Sequence, residues 1–293
     1  MKVFVTGGSG YAGRVVIERL LAANHHVVAL QRPASTRSID SRHVETVEGD
    51  LFDRVTLLHG LANADAVIHL VGIIRQVPRR GITMHRIHVE GTRLIIEAAA
   101  QSGVQRIVHM SALGARPGAI SAYHRSKWDA EEAVRDSELT YTIFRPSVIF
   151  GRGGPGPEFV GQLTDLVRKT PVTPVIGHGR YPLQPVSITT VADAFAAALA
   201  LPIAENRVYE LGGPDVVTYA DILRRIAEAH GQTLRTIRIP AVLISAMIPW
   251  LQRLPGFPLT VDQLTMLLEG NVCTDTETVY RDLALSPVPF AVR

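Results

Sequence analysis

The sequence predicts an α/β protein built on a doubly wound parallel sheet, with a smaller lobe following it. Three observations carry this. Short β-branched runs alternate with helical patterns through the first 150 residues, the runs are apolar almost throughout, and a glycine-rich turn joins the first run to the first helical stretch. Alternation at this spacing implies strand–helix–strand units. Near-continuous apolar strands suit a sheet that helices cover on both faces.

Each element follows in order. "KVFVTG" is a strand leading into "RVVIERLLAA", a helix, and "HHVVAL" is a second strand before a polar loop. "VETVEGD" and "RVTLLHGLA" repeat the unit, as do "DAVIHLVG" and the long helical pattern "MHRIHVEGTRLIIEAAAQSG". "RIVHMSA" precedes the amphipathic "AYHRSKWDAEEAV", and "LTYTIFRPSVIFG" closes the series. A first domain is therefore expected over residues 1–150, with segments near 185–200 and 207–231 returning to the sheet edge. Residues 151–293, opening on the loop "GRGGPGPE", should form mainly the substrate or capping lobe.

Length and charge narrow the function. A chain of 293 residues with 46% hydrophobic content can bury a sizeable core, so a globular protein is expected. The net charge of +3 comes from scattered arginines, without a basic run that would read as a nucleic-acid arm. One cysteine, Cys273, excludes an intramolecular disulfide and suits a reducing compartment. The opening "MKVFVTGG" leaves no room for a leader, and the longest apolar patch, "IPAVLISAMIPWL", is proline-interrupted and too short to span a bilayer. A cytoplasmic location, with peripheral membrane contact as an option, is the expectation.

The motif "TGGSGYAGR" spaces Gly7, Gly10 and Gly13 at the first strand-to-helix junction, with Gly8 in addition. Such a turn lets backbone approach a pyrophosphate and aims a helix N-terminus at the anion, which makes the sheet Rossmann-type. The second strand ends in "VVALQRP", without the acidic residue that would favour NAD through its ribose 2′-hydroxyl; the next acid is Asp40. Arg32 occupies the loop and Arg14 follows the last glycine, and guanidinium groups suit a 2′-phosphate. NADP(H) is therefore preferred, with NAD(H) as the alternative. Asp50, at the end of the third strand, either meets the adenine amino group or caps the next helix.

The chain has three lysines, Lys2, Lys127 and Lys169. Lys127 follows Tyr123 at a spacing that puts both on one helix face. Ser111 ends the strand twelve residues before the tyrosine. A phenol titrates near ~10, and a neighbouring ammonium together with an oxidised nicotinamide would pull that value down. Tyr123 could then exchange a proton with a hydroxyl or carbonyl, with Ser111 holding the same oxygen. An ordinary surface Tyr–Lys pair is the competing account. Ser121 competes with Ser111 but is better placed to cap the helix. His69, His88 and His109 lie in separate contexts without ligand spacing, so no metal site is expected.

In this order, "TGGSGYAG", "EGDLFD", "DAVIHLVG", "HVEGTRLIIEAA", "YHRSK" and "FRPSVIFGRGG" resemble the extended and atypical short-chain dehydrogenase/reductases, which include the NAD-dependent epimerase/dehydratases. The later segments and "LPGFPLTVDQLTMLLEGNV" are most similar to the branch of the NADPH-binding accessory subunit of respiratory complex I, the NDUFA9-like group. The resemblance implies Ser111, Tyr123 and Lys127 as catalytic residues. It implies a cofactor-binding set of Thr6, Gly7, Ser9, Gly10, Tyr11, Ala12, Gly13, Arg14, Arg32, Asp50, Leu51, Leu70, Val71, Gly72, His88, Lys127, Pro146 and Ile149. His88 stands where many relatives carry an asparagine that organises a relay water, and "SALGARPG" lacks the serine–tyrosine–glycine signature of sugar-nucleotide enzymes.

With Leu243, Ile244, Met247, Ile248, Trp250 and Leu251 in the second lobe, these departures point to an oxidoreductase for an apolar small molecule, quinone- or isoprenoid-related. Contact with a membrane or protein complex through that lobe is a further expectation. The alternatives are a non-catalytic NADPH-binding subunit and a nucleotide-sugar epimerase or dehydratase.

Overall fold

The structure is a computed structural model that describes residues 1–33, 39, 43–156, 158–252 and 259–292. The first half runs β1 (Lys2–Thr6), α1 (Tyr11–Ala22), β2 (His26–Gln31), β3 (Glu45–Glu48), α2 (Arg54–Leu61) and β4 (Ala66–His69). It continues with α3 (Gly91–Gln101), β5 (Arg106–Met110), α4 (Ala122–Arg135), β6 (Thr140–Pro146) and the short β7 (Ile149–Phe150). Then come α5 (Phe159–Lys169), β8 (Thr173–Ile176), β9 (Pro182–Leu183), β10 (Val186–Ser187) and α6 (Ile188–Ala200). The chain finishes with β11 (Arg207–Leu211), β12 (Val217–Thr218), α7 (Tyr219–Ala229), β13 (Thr236–Ile239), α8 (Ala241–Leu251), α9 (Val261–Glu269) and α10 (Glu277–Asp282).

Seven strands form one sheet in the order β11-β6-β5-β4-β1-β2-β3, and every pairing in it is parallel. The chain winds outward from β1 in both directions, so the carboxyl ends of β1 and β4 flank the switch point where such sheets bind ligands. The doubly wound prediction holds, and β11, which begins at Arg207, is an edge strand beside β6. Val3, Phe4 and Val5 are all fully buried, as a strand covered on both faces requires. α2 lies so close that a Cβ on Gly60 would stand 2.3 Å from the Phe4 ring. On the opposite face α1 and α6 pack together, and Arg106 of β5 donates to Ala198 O of α6 at 2.8 Å.

A second apolar cluster joins α5, α7, α8, α9 and Phe290. The helix of the second returning segment, α7, belongs here and not against the large sheet: its buried Ile222, Leu223 and Ile226 face α5. A further departure concerns the long helix expected from residue 84. Its first part, His85–Glu90, is a π-turn, and regular α3 begins only at Gly91.

Candidate active site

The glycine turn is built from close approaches. Gly7 has φ +79°, and a Cβ there would stand 3.0 Å from Leu70 C and Val71 N, so the turn leans on the end of β4. A Cβ on Gly13, in the first turn of α1, would fall 2.2 Å from Gly7 O. Gly10 is the N-cap of α1 with extended backbone, and as a glycine it offers the first amides of the helix no side-chain acceptor. A cradle closed to side chains, at an uncapped helix N-terminus, fits a dinucleotide pyrophosphate.

The loop after β7 lies on this turn, which the sequence does not reveal. Gly154 N donates to Tyr11 O at 2.8 Å, the Tyr11 hydroxyl donates to Gly151 O at 2.8 Å, and a Cβ on Gly154 would stand 2.4 Å from Gly10 O.

The other expected cofactor residues spread along the carboxyl ends of β1, β2, β3, β4 and β6. Thr6 is fully buried with its Oγ1 2.6 Å from His69 Nδ1. Ser9 and Ala12 are half-buried, and Arg14 and Arg32 are exposed. Asp40 lies outside the described residues. Asp53, not Asp50, caps α2; Asp50 is exposed and accepts from Phe52 N at 3.0 Å. Leu51 is buried beside Gly91. Leu70, Val71 and Gly72 follow β4 directly, and Pro146 O accepts from Leu113 N at 3.0 Å. Ile149 is half-buried and pairs with Val186.

The residues expected to transfer a proton lie where β4, β5 and α4 converge. Ser121 caps α4 through His124 N at 3.3 Å. Tyr123 is half-buried and Lys127 is 3% exposed, one turn apart on this helix. The Lys127 ammonium donates to Met110 O at 2.9 Å and reaches Val71 O at 3.5 Å, which fixes it between the ends of β5 and β4. Ser111, the next residue after Met110, is buried and its Oγ has no hydrogen-bond partner among the described residues. A buried hydroxyl without a partner is costly, and a ligand oxygen could satisfy it.

Charge in the site follows burial. Desolvation pushes the Tyr123 hydroxyl up to about 12 and brings the Lys127 ammonium down to about 8, with the carboxylate of Glu131 opposing the second shift. The lowered phenol expected from the sequence is therefore not a property of the protein alone. Burial outweighs the ammonium, which is directed at backbone carbonyls. The chain by itself holds Tyr123 as a neutral phenol, ready to donate.

Sequence reasoning missed the supports of this cluster. Glu131, fully buried, accepts from Arg145 Nε at 2.8 Å and Nη2 at 2.6 Å and pairs with Arg135, tying α4 to β6. Asp262 of α9 accepts from Ala122 N at 2.7 Å, at the start of α4. The histidines placed in separate contexts come together: the rings of His69 and His109 stack 5.4 Å apart, and His69 Nε2 lies 3.1 Å from Thr92 Oγ1. Burial, then the Lys127 charge, lowers His69 to about 3 and His88 to about 2, so both rings are neutral. Among the described residues no group of side chains could hold a metal ion.

Comparison with known proteins accords with this geometry. The model of a family described as NAD(P)H-binding matches residues 7–175. The chain is 28% identical over 301 residues to the mitochondrial NADH dehydrogenase [ubiquinone] 1 alpha subcomplex subunit 9 of Arabidopsis thaliana, covering 97% of this chain and 73% of that protein. It is 30% identical over 242 residues to ceramide reductase of Caulobacter vibrioides, covering 81% and 73%. Among solved structures, MoeE5 in complex with UDP-glucuronic acid and NAD superposes with a TM-score of 0.76 at 20% identity, covering 99% of this chain and 95% of that one. The resemblance drawn from the motifs holds.

The expectation of an apolar partner does not. That solved structure holds a polar nucleotide sugar, and its cofactor is NAD. The apolar residues behind that expectation lie on α8, where Ile248 is buried in the second cluster while Leu243, Met247 and Trp250 are exposed. An exposed apolar face does not by itself select an apolar ligand, and with it goes the expected membrane or complex contact of the lobe. Among the described residues no helix is long and apolar enough to cross a membrane.

Proposed function

Because the chain belongs to the NAD(P)H-binding family, we propose that it oxidises or reduces a carbinol or carbonyl carbon of a polar, hydroxyl-bearing small molecule of the nucleotide-sugar class. At the coarser level it is an NAD(P)-dependent enzyme of the oxidoreductase or epimerase type. The observation that carries the proposal is Tyr123 and Lys127 on one face of α4, with the ammonium anchored at Met110 O beside the unpartnered Ser111 Oγ. Epimerisation, dehydration and simple oxidation all begin with the same loss of hydride from a carbinol carbon.

A bound nicotinamide dinucleotide supplies the acceptor or donor of that hydride. The glycine turn and the first amides of α1 hold its pyrophosphate. Ser111 Oγ hydrogen-bonds the reacting oxygen and fixes its orientation. Tyr123 gives its proton to that oxygen in reduction and takes it back in oxidation. Lys127 keeps a positive charge beside the phenol, so the phenolate left after donation is less costly. NADP(H) is the proposed preference, supported by Arg32 directly after β2 and by Gln31 where a ribose-binding carboxylate would stand.

The test mixes the protein with NAD⁺ or NADP⁺ and UDP-glucose, UDP-glucuronic acid or dTDP-glucose, following nicotinamide absorbance and product chromatography. Turnover is expected with at least one pair, and Tyr123→Phe should lower it ~10²–10⁴-fold while cofactor affinity is kept. Equal turnover in the variant would remove Tyr123 from the chemistry. No turnover with any pair would favour a second reading, a cofactor-holding protein, which the similarity to the plant respiratory subunit along 97% of the chain supports.

A further inference from the structure

His88 is buried in the π-turn, a conformation that is uncommon and clusters at functional sites. Both ring nitrogens are engaged by protein groups. Ile73 N donates to Nε2 at 2.9 Å. A backbone amide cannot accept, so Nε2 carries no proton and the neutral ring has its proton on Nδ1. Nδ1 stands 2.8 Å from Ser126 Oγ, which must accept and in turn donates to Tyr123 O at 2.8 Å. The direction of the chain Ile73 → His88 → Ser126 → Tyr123 is thereby fixed. His88 is pinned from behind as well, since Thr92 Oγ1 donates to its carbonyl oxygen at 2.5 Å.

This ring joins the two halves of the site. On one side is the segment Val71–Ile73, whose Val71 O meets the Lys127 ammonium. A Cβ on Gly72 would stand 3.2 Å from Lys127 Nζ and 3.6 Å from His88 Nε2. On the other side is α4, and the Tyr123 ring meets the imidazole edge-on at 5.6 Å and 85°.

We propose that His88, rather than binding the cofactor as the resemblance implies, is a positioning residue: a permanently neutral imidazole, both ring nitrogens taken by protein groups, that clamps the segment after β4 onto α4 and so sets the Tyr123 hydroxyl relative to the cofactor. This rests on the proposed catalytic role of Tyr123. A second proton on Nε2 would face the Ile73 amide donor to donor and break the clamp, so the imidazole must stay neutral through the working pH range. A residue holding a mobile relay water would need a ring nitrogen to spare, and His88 has none.

Two measurements test it on the full-length protein. Long-range ¹H–¹⁵N spectra of the histidine rings should show His88 as the Nδ1–H tautomer, without titration between about pH 5 and 9. An Nε2–H pattern or a titration in that window overturns the clamp, whether or not the protein turns over. In kinetics, His88→Ala should lower kcat by ~10–100-fold, as expected for a misplacement of about 1 Å, with cofactor affinity changed less than about threefold. His88→Gln, whose amide offers one acceptor and one donor, should recover about tenfold of the loss, and Ser126→Ala should reproduce part of it.

A fall in cofactor affinity as large as the fall in kcat would mean direct contact and would overturn the proposal, as would a glutamine variant no better than alanine. If His88→Ala does not fold, His88→Gln and Ser126→Ala carry the kinetic test. A wild-type protein without turnover defeats the catalytic role of Tyr123, and the ring spectrum still decides the clamp separately.

Discussion

Lys127 carries its charge into a place that disfavours charge. Its ammonium is buried and depressed to about 8, from 10.5 for a solvated lysine. Between those values the unfolded chain binds more protons than the folded one, so stability rises as pH climbs from about 8 to 10.5. Below about 8 the full penalty is present. Lys127→Met should therefore raise unfolding stability at pH 7 by on the order of 2 kcal/mol while turnover is lost. Urea unfolding at pH 7 and at pH 10.5 checks this: the advantage of the variant should shrink at the higher pH. An advantage equal at both pH values would mean that desolvation of the charge is not its source. The same ionisation acts on the proposed catalysis with the opposite sign. In the proposed mechanism carbonyl reduction needs the ammonium beside a neutral phenol, so its rate should fall as pH rises through about 8, well below the phenol's own value of about 12.

At the scale of elements, α4 was legible because its phenol–ammonium spacing and its Ser121 cap are local. The π-turn was not. Its composition reads as helix, and the contacts its His88 ring makes with Ile73 and Ser126 are long-range. The partner of the α4 N-terminus was equally hidden. Asp262 lies 140 residues away and accepts from Ala122 N, while Glu269 of the same α9 pairs with Arg116 at 3.1 Å. A carboxylate there complements the helix dipole. Asp262→Ala should cost ~1 kcal/mol, read as a fall in Tm of about 2–4 °C. An unchanged Tm would mean that water replaces the carboxylate at no cost.

Across the whole molecule, the sheet brings the glycine turn and the Ser111, Tyr123 and Lys127 cluster to the same carboxyl ends of its strands. The Gly7 turn rests on Leu70 and Val71, and Val71 O in turn meets Lys127. A ligand seated across both halves should stabilise the fold by mass action, by ~2.7 kcal/mol at a concentration of about 100 Kd. Thermal shifts with NADPH and NADH at equal concentration should favour NADPH, and Arg32→Ala should remove the difference. Equal shifts in the wild-type protein would refute the proposed preference for the 2′-phosphate.

What the sequence by itself determined is what short-range chemistry dictates: alternating strands and helices, a glycine turn where no Cβ fits, a serine cap, and a phenol one helical turn from an ammonium. Only the tertiary structure decided the rest. It set the height of the Tyr123 and Lys127 ionisations, the folding of the Gly151–Gly156 loop onto Tyr11, the convergence of three histidines, and the carboxylate that α9 lends to α4. The reason is physical: desolvation and hydrogen-bond partnership depend on which distant segments pack against a group, and spacing along the chain carries no record of that.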